Sequence, residues 1–201
     1  MTEYLSKRMT QYLVNRLQID QNESDLYELG MEVIVSTMIT SISIFLVSFF
    51  LKNFAGAVFF LCCFITVRNY SGGFHAHTRA GCFAISIVCY LASYGLSKAL
   101  ACFPLLIQAL LIGVGLAVSA VVFGVCAPLE NPNKRLKADW KRHNRRMMLV
   151  ILLFWLMLFG CLIRIGKCDW AAQIWATLVI IAVLLEMARR RDKDEKGKKS
   201  N

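Results

Sequence analysis

The chain has 201 residues, 57% of them apolar, and a formal net charge of +10. Its apolar residues are gathered in uncharged blocks at 33–51, 53–67, 80–97, 99–129, 147–163 and 170–185. That patterning excludes an ordinary soluble domain, in which apolar and polar positions alternate with the helical or strand period. A bilayer core of about 30 Å takes roughly 17–25 helical residues to cross, so the blocks point to an all-α, polytopic membrane protein.

Residues 1–28 form a charged, amphipathic N-terminal segment. Leu5, Met9, Tyr12, Leu13 and Leu17 make a helical stripe with Lys7 and Arg8 off it, the pattern of an interfacial helix lying on the bilayer. Eight charged residues and no apolar h-region argue against a signal peptide here, so the first span is expected to serve as its own insertion signal.

The membrane domain is expected over 29–187. It holds about six transmembrane or membrane-embedded helices, near 30–51, 53–68, 81–99, 104–128, 147–164 and 169–187. The second is short, because its fifteen uncharged residues rise only about 22 Å. Pro104 and Pro128 bracket the fourth, proline being best tolerated at helix ends. Within that helix Gly115 and Ser119 form a small-xxx-small pair suited to close packing against a neighbouring helix. A loop at 129–146 and a tail at 188–201 are strongly basic.

Orientation follows the lysine and arginine count. With both termini inside, the cytoplasmic segments carry nineteen of them, leaving Lys52, Lys98, Arg164 and Lys167 outside. The loop 68–82 is then cytoplasmic. The basic segments are topogenic and face anionic lipid, so the net charge calls for no nucleic acid.

The eight cysteines lie mostly inside apolar runs, where a free thiol behaves as a small hydrophobe. No C-x-x-C pair occurs, which argues against a thiol–disulfide oxidoreductase. Cys102 and Cys168 could share the outer face, but no bridge is expected between them.

The loop 68–82 reads RNYSGGFHAHTRAGC and contains no acid. His75 and Cys82 are too far apart for a hydrogen bond on one straight helix, about 10.5 Å along its axis, but Gly72 and Gly73 break the helix and permit a bend. If the third span begins near 78–81, Cys82 sits in its first turn, where the helix dipole and free N–H groups favour a thiolate. Arg68 and Arg79 add positive potential. A cysteine so placed with a histidine in reach has the makings of an activated nucleophile. His77 reads as a solvated loop side chain. A zinc site from His75, His77 and Cys82 has no fourth ligand at suitable spacing, and no carboxylate occurs between Glu32 and Glu130. No metal or other cofactor is therefore expected.

The pattern Arg68-x-x-Ser71-Gly72-Gly73-x-His75-Ala76, followed by Cys82, resembles the signature of the AgrB family. These are bacterial membrane endopeptidases that process the AgrD autoinducing-peptide precursor. The amphipathic N-terminus, the span order and the segment Ala127–Lys134, similar to a family loop ending in Asn-Lys, extend the resemblance along nearly the whole chain. Where that loop often continues with proline, this chain has Arg135. The resemblance implies a thiol protease of the bacterial cell membrane, acting in quorum sensing as a homodimer. His75 and Cys82 would be its catalytic pair, supported by Arg68, Ser71, Gly72 and Gly73, and an AgrD-like peptide its partner. The residue orienting His75 stays open among Asn69, Ser71, Glu130 and Asp139.

Two other function classes compete. A small transporter or channel would place ionisable residues at mid-bilayer, and none is evident, since Gln108 and Gln173 sit about a turn inside span ends. A noncatalytic scaffold would make Cys82 replaceable.

Overall fold

A computed structural model describes residues 24–71, 79–126 and 138–200, all of it helices and tight turns. Six helices follow in order: α1 (Ser24–Phe50), α2 (Phe54–Ser71), α3 (Arg79–Ala101), α4 (Leu105–Cys126), α5 (Ala138–Arg164) and α6 (Cys168–Ser200). Among the described residues five helices are long and apolar enough to cross a membrane, and α1 adds a shorter apolar stretch, Ile34–Phe50. The protein is thus an all-α, polytopic membrane protein. The expected amphipathic stripe from Leu5 to Leu17 lies outside the described residues.

The turns between helices have local causes. At the end of α1, Asn53 N–H bonds Ser48 O at 3.0 Å and Lys52 N–H bonds Phe49 O at 3.2 Å. This paired closure puts the residue after the helix in the left-handed region, and here that residue is Lys52, at φ 51°. Asn53 then opens α2, its carbonyl accepting from Ala57 N–H at 3.0 Å. The same closure ends α5 on Gly166, at φ +79°, where a residue without Cβ adopts it freely. Pro104 starts α4, as its position predicts. Three helices run further than their uncharged blocks. α2 continues through Arg68 to Ser71, which raises its length to about 27 Å. α5 starts at Ala138 and so takes in half of the basic loop, and α6 continues through the basic tail to Ser200.

Side-chain ties show successive helices running in opposite directions. At one end Lys98 of α3 lies 3.8 Å from Asp169 of α6, and Phe59 of α2 meets Trp170. At the other, Arg145 of α5 donates to Gly124 O of α4, and Arg189 of α6 reaches Cys126 of α4. The turns at 51–53, 102–104 and 165–167 therefore share the first end. The end of α2, the start of α3, the end of α4 and the arginine-rich extensions of α5 and α6 share the second.

α6 is the hub, packing against α2, α3, α4 and α5. Consecutive residues Gln173–Leu178 are all buried, as expected of a helix enclosed on every side. α4 is peripheral. Leu105, Leu106, Leu110, Val114, Val118, Val121 and Val125 point outward, a surface suited to acyl chains and not to water. Gly115 faces inward, where an added Cβ would meet the Trp175 indole nitrogen at 2.6 Å. Ser119 is buried beside it. The small-xxx-small pair is therefore occupied within the chain, closing α4 onto α6, and offers no surface to a second copy.

Candidate active site at the basic end of the bundle

Arg68 occupies the last turn of α2 and Cys82 the first turn of α3. The two turns lie side by side. Arg68 Nη2 donates to Cys82 Sγ at 3.6 Å. The same guanidinium lies over the Phe64 ring, 5.4 Å from its centroid, one helical turn back along α2. Cys82 is half-buried, so its sulfur is fixed by packing yet still reachable. Ser86 Oγ donates to the Cys82 carbonyl at 3.0 Å, an ordinary bond to the preceding turn.

A guanidinium donating to sulfur complements negative charge there, as do the unpaired N–H groups of a helix's first turn. Of the six residues singled out in the sequence, this structure brings Arg68 and Cys82 together and puts Ser71, fully buried, at the end of α2. Gly72, Gly73 and His75 lie outside the described residues. Among the described residues no group of three His, Cys, Asp or Glu is disposed to hold a metal ion.

A second thiol cluster at the same end escaped the sequence reading. Cys126 Sγ accepts from Arg189 Nη1 at 3.4 Å and donates to Glu186 Oε2 at 3.5 Å. Glu186 also pairs with Arg190 at 3.0 Å. Sixty residues separate the partners, so no local motif announces them. The available signal was that each is a polar residue closing an apolar span. Cys126 is more deeply covered than Cys82, and its contacts tie α4 to α6.

Near the opposite end, Gln173 of α6 is buried and donates through Nε2 to Ser93 Oγ at 2.7 Å, while Ser97 Oγ donates to its Oε1 at 3.2 Å. This seam joins α3 to α6 by uncharged hydrogen bonds, the usual polar adhesive of membrane helices. Among the side chains whose burial the structure describes, no Asp, Glu, Lys, Arg or His is buried.

Comparison with known proteins places the chain in a family. The profile of the family Accessory gene regulator B (AgrB) matches residues 6–188. The chain belongs to the AgrB family. An AgrB-like protein of Clostridium perfringens (strain SM101 / Type A) is 25% identical over 163 residues, covering 77% of this chain and 75% of the relative. A second AgrB-like protein, from C. perfringens strain 13, is 24% identical over the same shares. No solved structure matches the chain. Membership of AgrB links the protein to processing of the quorum-sensing peptide precursor at the membrane, and the matched region spans both Arg68 and Cys82.

Proposed function

We propose that this protein is a membrane cysteine endopeptidase that removes the C-terminal tail of an AgrD-like precursor and retains the peptide as a Cys82 thioester. The observation that carries the reading is the Arg68–Cys82 contact at the start of α3, within a chain of the AgrB family.

In this reading His75 takes the thiol proton of Cys82, and the sulfur attacks the carbonyl at the tail junction. Arg68 steadies the charge on sulfur before attack. The tetrahedral adduct collapses, the C–N bond breaks, and protonated His75 gives its proton to the leaving amine. The tail departs as a free amine and the remaining peptide is held as an acyl-enzyme. An internal thiol or hydroxyl of the peptide then attacks the thioester, closing a thiolactone or lactone ring and returning the sulfur of Cys82. A thioester keeps acyl activation that hydrolysis would dissipate, so ring closure needs no ATP. A site at the bilayer interface helps by limiting water. The basic end of the bundle is cytoplasmic, where its arginines attract an acidic tail, and the active form is a homodimer.

The absence of buried charged residues among the described helices weighs against the transporter class. The deciding experiment is co-expression of the cognate precursor with Cys82→Ser and with His75→Ala. Both variants should accumulate in the membrane and leave the precursor uncleaved, with losses of about 10²–10⁴-fold for His75→Ala. Cys62→Ser should retain cleavage. Normal processing by Cys82→Ser would overturn the reading in favour of a transporter or scaffold.

A further inference from the structure

We infer that Phe64 is a positioning residue for the Cys82 chemistry and acts through Arg68. The guanidinium touches both the Phe64 ring, at 5.4 Å from Arg68 Cζ, and the Cys82 sulfur, at 3.6 Å from Nη2. Phe64 is itself immobilised. It is buried and stacks on Phe60 with centroids 5.1 Å apart and ring planes 18° from parallel. Phe60, fully buried, meets the ring of Tyr90 edge-on at 5.2 Å. Tyr90 is fully buried too, and it belongs to α3, the helix that carries Cys82.

These contacts close a circuit. From Cys82 it runs along α3 to Tyr90, crosses to Phe60 and Phe64 on α2, and returns through Arg68 to the sulfur. Both ends of the aromatic column are therefore referred to one rigid helix. The guanidinium cannot drift from the sulfur without leaving a ring face to which it is attracted by the ring quadrupole, an attraction that strengthens where water is excluded. Arginine is long and flexible, and a preset position spares the loss of side-chain freedom when charge develops on sulfur. A leucine at position 64 would fill much of the space but offer no ring face.

The inference rests on Cys82 being the nucleophile, but its test reads the thiol alone and needs no peptide. The purified full-length protein in detergent is treated with iodoacetamide at one fixed pH, and carbamidomethylation of Cys82 is followed by mass spectrometry of the peptide containing it. Phe64→Leu should slow the reaction roughly 3- to 30-fold, while Phe64→Tyr, which keeps the ring, should stay within about twofold. In an Arg68→Gln background Phe64→Leu should change the rate by less than about twofold, because the group it positions is gone. Should Phe64→Leu fail to accumulate, Phe64→Met, whose flexible unbranched chain adapts to the gap without supplying a ring, carries the same expectations. Equal slowing in both backgrounds would mean that Phe64 is only core packing, and no slowing in the Arg68 protein would remove its role altogether. Either result overturns the proposal and leaves the peptidase reading standing.

Discussion

Arg68 Nη2 donates to Cys82 Sγ across 3.6 Å, joining the final turn of one membrane helix to the opening turn of the next. A hydrogen bond to a charged group contributes about 1.5–3 kcal/mol. Arg68→Gln should therefore reduce precursor cleavage roughly 10- to 150-fold, measured in membrane vesicles as the initial rate of tail release. Arg68→Lys keeps the charge but loses the planar fork, and should fall between the two. An Arg68→Gln enzyme as fast as the parent would detach this contact from catalysis.

Packing of α4 is predicted to hinge on a single hydrogen atom. Gly115→Leu would drive its side chain into Trp175, whose indole Nε1 donates to Ile112 O at 3.3 Å. Overpacking of this kind costs about 1–3 kcal/mol, visible as a lower melting temperature in detergent. Gly113→Ala, with nothing within 4 Å of the added carbon, should melt with the parent. If the two variants behave alike, α4 does not close on α6 through this position.

Gln173→Leu removes both hydrogen bonds of the α3–α6 seam while retaining most of the volume. Interhelical hydrogen bonds in membranes contribute about 0.6 kcal/mol on average and up to about 1.7, so a loss of that order is expected. Cleavage measured below the melting transition should be unchanged, since the seam stands near the end opposite Cys82. A variant that folds but no longer cleaves would show that the seam reaches the site.

Orientation can be read with a membrane-impermeant thiol reagent on intact cells. Cysteines placed at 142 and 190, on the arginine-rich ends of α5 and α6, should react only after the inner face is opened. A cysteine at 167, in the turn between those helices, should react at once. The reverse pattern would invert the topology.

Much of the architecture was legible because apolar runs and helix-ending residues are local signals. Pro104 and the Gly166 turn fall where the sequence puts breaks, and all six helices were anticipated. The helix ends at Ala138 and Ser200 were not, because charged residues end an apolar run without ending a helix. Arginine and lysine are good helix formers in water. Arg68 and Cys82 could be named from the loop pattern, but their contact depends on how α2 and α3 lie against each other. Gly115 is legible as a close-packing position, but its neighbour is not. Periodicity says that a face packs but not against what, and Trp175 lies sixty positions further along the chain.

The placement of α6 has a consequence for biogenesis. Helices α2 to α5 all lean on a segment that leaves the ribosome after every one of them. Until it enters the bilayer, the buried faces of its neighbours have only lipid or one another to meet, and Gln173 is not there to accept or donate. The earlier helices pack on one another where they can, α1 on α2 and α3 and α2 on α5, but the faces they turn towards α6 stay uncovered until that last helix inserts. A nascent chain halted before Cys168 would hold Arg68 and Cys82 on adjacent helices and still lack the helix on which both of those helices pack.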